Sequence, residues 1–344
     1  MLLCTMIFVC IFTSCKTNIG SDPMKDISDK RNADTNENAD TNENTVENTN
    51  ENINLDKNIN ESSKDTTEQK SEPALSEESQ KDYDTHNGLE AAADVVTIMN
   101  PEGQTIKERF EVLAGYERQS TEEGTFAYYL QNLPLKPDGT KVKYYDGRTK
   151  NKNVYLGVVD FSLGDRDLQQ CADAVIRLRA EYFYKHNRQN EIQFNFVSGF
   201  TAEFSKWSAG KGISVKGNTV SWTNNPNNND SYESFQRYLN MVYAYASTLS
   251  LEKELILKPI EDAQIGDVFI QGGSPGHCVI VVDMAVNETT GDKVVMLAQG
   301  YMPAQDIQIL IGDEENSPWF RVGKEGEFRT PEWVFHTTDL KTWK

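Results

Sequence analysis

Three residues of the chain, one near its middle and two further on, have the side-chain types needed for nucleophilic catalysis. Cys171 lies in the stretch DLQQCADAVIRLRAEYFYKH, while His277 and Cys278 lie in IGDVFIQGGSPGHCVIVVDM. A catalytic cysteine needs a lowered pKa, an imidazole that accepts its proton and a third group that orients the imidazole. Cys171 is therefore the candidate nucleophile and His277 the candidate base.

The position of Cys171 favours a reactive thiolate. Asp167 is predicted to cap a helix, with Gln170 completing a capping box, so that Cys171 lies in or just after the first helical turn. Free N–H groups and the positive end of the helix dipole stabilise a thiolate there. The alternative is a small buried core residue, because the cysteine also belongs to an apolar stripe made by Leu168, Cys171, Val175, Leu178 and Tyr182.

The third group is expected on the strand after His277, KVVMLAQGYM. Asp283 shares a face with His277, but six residues of strand separate them by about 20 Å. Depending on where the hairpin turns, either Gln299 or Pro303 lies opposite His277. Gln299 is the predicted third member because its amide oxygen can accept an imidazole N–H. Its alternative role is a strand-end residue bonded to the backbone.

Two further points stay open at the predicted site. The donor to a developing oxyanion is either the backbone N–H of Cys171 or the side chain of Gln170 or Tyr155. Neighbouring strand residues face opposite sides, so Cys278 should face away from Cys171 if His277 faces it. A Cys171–Cys278 disulfide is thus a competing interpretation, in a compartment that permits disulfides.

The elements that must position these residues form a mixed α+β domain with an antiparallel sheet built late in the chain. Helices are predicted at the start of EGQTIKERFEVLAGY and over residues 168–186 and 230–255. Strands are predicted over 126–135, 142–147, 153–163, 191–199, 267–271, 278–284 and 294–299.

Several familiar signatures are absent. The four histidines are scattered and have no metal-ligand spacing, AGKG at 209–212 lacks the rest of a phosphate loop, and neither GxGxxG nor GxSxG occurs. Hydride transfer, nucleotide hydrolysis and serine-esterase chemistry are therefore poor expectations, and no cofactor or metal is expected.

The N-terminus predicts the compartment. Residues 1–15, MLLCTMIFVCIFTSC, are apolar, uncharged and too short to span a bilayer as a helix, which is typical of a signal peptide. Small residues precede Cys15, which resembles a bacterial lipobox. That resemblance implies lipidation of Cys15 and an extracytoplasmic protein anchored to the cell membrane. A plain secretory signal is the alternative.

Residues 16–92 are predicted to be a disordered tether, and 93–344 a single globular domain. The tandem NADTNE repeat and its polar surroundings offer almost nothing to bury. Residues 16–90 carry 19 acidic and 8 basic side chains, and so contribute −11 of the net charge of −19. This acidity argues against nucleic acid as a partner.

Three pieces resemble the papain-like cell-wall hydrolases of the NlpC-type endopeptidases and CHAP amidases. They are Cys171 with its helix, the strand GDVF at 266–269 and the Gly-His pair at 276–277 followed by an apolar run. The resemblance implies a papain-like core, with a cysteine-bearing helix packed on an antiparallel sheet. It also implies an amidase or endopeptidase acting on peptidoglycan peptides through Cys171, His277 and Gln299.

A wider span, from about 110 to 312, is similar to a bacterial family known only as domain of unknown function 4846. LPLKPDGT, YYDG, DLQQCADAVIRLRAEY and AQGYMPAQD carry this similarity. Because that family implies no chemistry, two non-catalytic alternatives remain. One is an envelope-binding or assembly module, and the other a glycan-binding platform of Trp207, Trp222 and Trp319.

Overall fold

The structure is a computed structural model that describes residues 99–323 and 325–344. The predicted signal peptide, lipidation site and tether lie outside the described residues. No helix in the described part of the chain has the length and apolar character to cross a membrane. The helices of that part are α1 (Ile106–Arg109), α2 (Phe126–Gln131), α3 (Cys171–Lys185), α4 (Phe204–Ser208), α5 (Tyr232–Tyr245) and α6 (Thr248–Glu254).

The strands are short except where they form the centre of the main sheet. They are β1 (Glu117–Arg118), β2 (Tyr155–Val158), β3 (Gln193–Asn195), β4 (Thr201–Glu203), β5 (Lys211–Lys216), β6 (Thr219–Asn224), β7 (Ile256–Leu257), β8 (Val268–Gln271), β9 (His277–Val286), β10 (Lys293–Gln299), β11 (Gln308–Leu310), β12 (Trp319–Arg321), β13 (Glu327–Arg329), β14 (Val334–His336) and β15 (Leu340–Thr342). The predicted mixture of helices with antiparallel sheets is confirmed.

The main sheet is antiparallel and has the order β2-β11-β10-β9-β8-β15-β7, with β1 added beside β9 and β12 beside β10. Its centre is covered on both faces, since every residue of β9 before Val286 is buried. Helix α3 packs against β9 and β10. The ends of these two strands and the start of α3 therefore meet, and this meeting point holds the predicted site residues.

The hairpin between β9 and β10 has neither of the two predicted alignments. Lys293 pairs with Val286, and an irregularity between Met296 and Leu297 shifts the register by one residue. Ala298 then pairs with Ile280. This register places neither Gln299 nor Pro303 opposite His277. The bulge was not predictable, because an unbroken apolar run carries no signal for it. Gln299 instead lies diagonally across the ladder from His277.

Two local predictions of secondary structure are wrong, and the conformation and hydrogen bonds at helix ends explain both. The aromatic run predicted as a strand at 126–131 is helix α2, because the Thr125 side chain accepts the N–H of Tyr128 and so caps it. The predicted second long helix is two helices, α5 and α6. Extended backbone at Ala246 ends the first, and the Ser247 side chain accepts the N–H of Leu249 to start the second.

The tryptophan platform is not formed. Trp207 and Trp319 are buried, and their indole N–H groups donate to Ser234 Oγ at 3.0 Å and to Glu111 O at 2.8 Å. Trp222 is half-buried and packs on Phe200. Two of the three rings are therefore structural rather than presented to a glycan.

Candidate functional site

Cys171 is the first residue of α3, which places it at the N-terminus of a fifteen-residue helix. The helix begins four residues after Asp167, so the predicted cap is wrong. The carboxylate of Asp167 accepts the Ala304 N–H at 2.7 Å and the Gln170 side chain at 3.1 Å, and this pairing removes it from the helix end. Asp173 accepts the backbone N–H of Gln170 at 3.0 Å and closes the first turn instead. Cys171 thus lies at the end where N–H groups lack intrahelical partners.

The start of α3 approaches the sheet closely because of a glycine. A Cβ atom at Gly300 would lie 2.7 Å from the carbonyl oxygen of Gln170 and 2.9 Å from the Cβ of Ala174. Gly300 directly follows β10, so its lack of a side chain lets the helix rest on the end of the strand. This contact brings Cys171 to the edge of the sheet where β9 begins.

His277 is the first residue of β9, and a tight turn of glycines places it there. A Cβ atom at Gly276 would lie 2.5 Å from Thr248 Oγ1 and 2.6 Å from Gly273 O, so only glycine fits. The imidazole is 2% exposed. It packs among three aromatic rings, with centroid distances of 4.8 Å to Tyr301, 5.4 Å to Trp333 and 5.9 Å to Phe335.

Cys171 interacts with both His277 and Cys278, and both cysteines are free thiols. The hydrogen bond from the Cys278 thiol has the largest effect and lowers the pKa of Cys171. Burial opposes this effect, whereas the hydrogen bond and charge of His277 and the backbone N–H of Ala172 add to it. The net pKa of Cys171 is well below that of an ordinary thiol.

The expectation that Cys278 faces away from Cys171 is wrong. Alternation assigns neighbouring residues to opposite faces within a strand, but the start of α3 lies at the end of the sheet, where side chains of both faces are within reach. Burial raises the pKa of Cys278, and its bond to Cys171 raises it further. Of the two thiols, Cys171 is therefore the one that ionises first.

Gln299 is at the end of β10 and is fully buried. Its Oε1 lies 2.8 Å from Nε2 of His277, and its Nε2 donates to Oε2 of Glu332 at 2.7 Å. The structure therefore brings the three predicted residues, Cys171, His277 and Gln299, into one connected group. Diagonal neighbours in an antiparallel ladder are about 7–8 Å apart, a gap that a glutamine side chain can bridge.

Sequence reasoning missed two charged residues behind Gln299. Glu332 comes from the irregular segment before β14, and Lys150 from the segment before β2. Nζ of Lys150 donates to Glu332 at 2.7 Å and also to Gln305 and Gln308, at 3.1 Å and 3.3 Å. Neither residue belongs to a periodic pattern or a motif, so no sequence signal identified them.

The predicted oxyanion donors differ in their present partners. The Gln170 side chain donates to Asp167 as described above. The Tyr155 hydroxyl accepts the N–H of Val142 at 3.0 Å, within a cluster that also contains Val154 and Val158. The Cys171 N–H remains as the donor that the helix start itself provides.

Across residues 99–323 and 325–344, no three His, Cys, Asp or Glu side chains are grouped closely enough to hold a metal ion.

Comparison with known proteins identifies a family but no activity. No curated protein matches the chain, and no solved structure matches it. The sequence model described as "Domain of unknown function (4846)" matches residues 106–342, a wider span than the sequence motifs suggest. Because this match covers more than half of the chain, the protein belongs to the family of that description.

Proposed function

We propose that the protein is a cysteine amidase or endopeptidase with a papain-like core, in which Cys171 is the nucleophile and His277 the general base and acid. The observation that carries the proposal is a single connected group. Cys171 at a helix N-terminus interacts with His277, and the other side of the imidazole is held by Gln299 at 2.8 Å. This order of nucleophile, base and orienting group is the one that covalent catalysis uses, and it supports the proposal.

The chemistry follows from these positions. The thiolate of Cys171 attacks the carbonyl carbon of an amide, and the oxygen of the tetrahedral intermediate is stabilised by the N–H of Cys171. His277 donates its proton to the departing amine as the C–N bond breaks, which leaves a thioester. Water then attacks the thioester with His277 as base, so the products are a carboxylate, an amine and the free thiol.

The substrate class is proposed from the compartment and from the resemblance to cell-wall hydrolases. A signal peptide with lipidated Cys15 and a long polar tether would hold the domain outside the cytoplasm and near the wall. Peptidoglycan stem or cross-bridge peptides are the amides available there. The lipid anchor to the membrane belongs to the same proposal.

The test is the digestion of purified peptidoglycan and of soluble muropeptides by the full-length protein in detergent. Released amino and carboxyl termini are identified by mass spectrometry. We expect wild type and Cys278→Ser to cleave a peptide bond, whereas Cys171→Ala should lose at least about a thousandfold in rate, as when other catalytic nucleophiles are removed.

Circular dichroism and thermal unfolding must show that Cys171→Ala is folded. Equal products from wild type and Cys171→Ala would overturn the proposed role of the cysteine. Binding of folded wild type to peptidoglycan without any cleavage would support the envelope-binding module instead.

A further inference from the structure

The carboxamide of Gln299 lies between two partners of opposite character. Its Nε2 donates to the carboxylate of Glu332 at 2.7 Å, and its Oε1 lies 2.8 Å from Nε2 of His277. A carboxylate can only accept hydrogen bonds, whereas an imidazole nitrogen can donate or accept according to its tautomer. The carboxylate therefore determines which way the amide points.

The orientation of the amide in turn determines where the imidazole carries its proton. With the NH₂ group directed at Glu332, only the carbonyl oxygen of Gln299 faces His277. An oxygen cannot donate, so the facing Nε2 must be protonated. The neutral ring then has its lone pair on Nδ1, and this nitrogen is left to accept the proton of Cys171.

Two lysines keep the Glu332 carboxylate in place and charged. Oε2 of Glu332 receives both Gln299 and the buried Lys150, and Oε1 lies 3.4 Å from the exposed Lys152. Burial would raise the pKa of Glu332, but the hydrogen bonds and charges of the lysines outweigh it, so the pKa is lowered. Lys150 is itself held by three acceptors, which fixes the cation behind the carboxylate.

We propose that Glu332 is a positioning residue that, through Gln299, holds His277 in the tautomer protonated at Nε2, with Lys150 as its anchor. This device rests on the proposed function only for its effect on catalysis. The tautomer itself is a property of the folded protein and can be measured without any substrate.

The variants distinguish the effect of an oriented hydrogen-bond acceptor at position 332 from the effects of side-chain size and charge there. Glu332→Gln can place its amide oxygen where Oε2 lies and so keep both the Gln299 and the Lys150 bonds. Glu332→Leu has no acceptor, and the Gln299 amide is then free to present its NH₂ group to the ring. The double variant Lys150→Met with Glu332→Leu removes the buried cation as well, in case the single variant does not fold.

The direct readout is the tautomer of His277, obtained by ¹⁵N NMR of histidine-labelled full-length protein at a pH where the ring is neutral and carries a single proton, and assigned with a His277→Asn variant. We expect wild type and Glu332→Gln to carry the proton on Nε2, and the two leucine variants to show a mixture or the Nδ1-protonated form. In the hydrolysis assay kcat should fall on the order of ten- to a hundredfold in the leucine variants, the size seen when a group that orients a functional histidine is lost.

The outcomes are distinguishable from those of the proposed function. Predominant Nδ1 protonation in wild type overturns the inference, and so does an unchanged tautomer in folded Glu332→Leu or in the double variant. If wild type hydrolyses nothing but the tautomer follows the residue at 332, the proposed function fails while the positioning role of Glu332 stands.

Discussion

Replacing Cys278 by alanine should raise the pKa of Cys171, because the Cys278 thiol is the largest contributor to its lowering. A hydrogen bond to a charged group contributes about 1.5–3 kcal/mol, and one pKa unit corresponds to about 1.4 kcal/mol. Loss of this donor should therefore destabilise the Cys171 thiolate by about 1.5–3 kcal/mol and raise the pKa of Cys171. With this donor gone, burial becomes the largest remaining influence on the Cys171 pKa and opposes the smaller lowering by His277 and the Ala172 N–H.

Cys278→Ser is the matched control, because a hydroxyl keeps a donor at the same position. Asp173, whose charge raises the pKa of Cys278, is unchanged in both variants. Thiolate absorbance in the ultraviolet is recorded against pH, and the curve of the corresponding Cys171→Ala protein is subtracted. Thermal unfolding verifies that each variant is folded.

The expected order of the Cys171 titration midpoints is wild type lowest, Cys278→Ser close to it and Cys278→Ala highest. Coincident curves for wild type and Cys278→Ala would refute the reasoning, because the neighbouring thiol would then have no part in stabilising the thiolate.

Three further predictions concern stability. Burial raises the pKa of Glu254 to about 7 in the folded protein, so its ionisation costs stability as pH rises from about 4.5 through 7. Glu254→Gln should therefore increase the free energy of unfolding, measured by urea unfolding, by up to about 3 kcal/mol at pH 8 and leave it unchanged near pH 4. Arg118→Met leaves the buried carboxylate of Asp283, which lies 2.8 Å from the guanidinium in wild type, without its cation. Urea unfolding should show a loss of about 3–5 kcal/mol at pH 8. The loss should shrink as pH falls, because burial already raises the pKa of Asp283 and protonation removes the unpaired charge. Gly300→Ala pushes a Cβ atom against the Gln170 carbonyl and should lower the free energy of unfolding by about 1–3 kcal/mol, measured by thermal unfolding. No loss of stability would mean that the close approach of α3 to the end of β10 is not required.

The parts of the site that local rules govern could be predicted. Cys171 was predicted from helix-start chemistry, His277 from a glycine-rich turn before an apolar strand, and Gln299 as the first polar residue after the next apolar run. Each of these signals lies within about ten residues of the side chain concerned. Strand positions in the late sheet were predictable for the same reason.

The parts that depend on distant contacts could not be predicted. Glu332 and Lys150 are separated by 182 residues and meet only after the irregular C-terminal segment folds back. Two further features depend on where α3 packs against the sheet. They are the bulge in the hairpin and the contact of Cys171 with side chains from both faces of β9. The strand prediction for residues 126–131 failed because it relied on the spacing of apolar side chains. Thr125 caps a helix that begins at Phe126, and this cap determines the local structure instead.

The most direct test of the central claim is the pH dependence of Cys171 alkylation in wild type and in His277→Ala, without reductant and mapped by mass spectrometry. We predict that wild-type Cys171 reacts at a lower pH than an ordinary thiol while Cys278 stays inert, and that His277→Ala moves the reaction to higher pH. Identical curves for the two proteins would contradict the Cys171–His277 pair. A Cys171–Cys278 link that prevents labelling until reduction would contradict the free nucleophile.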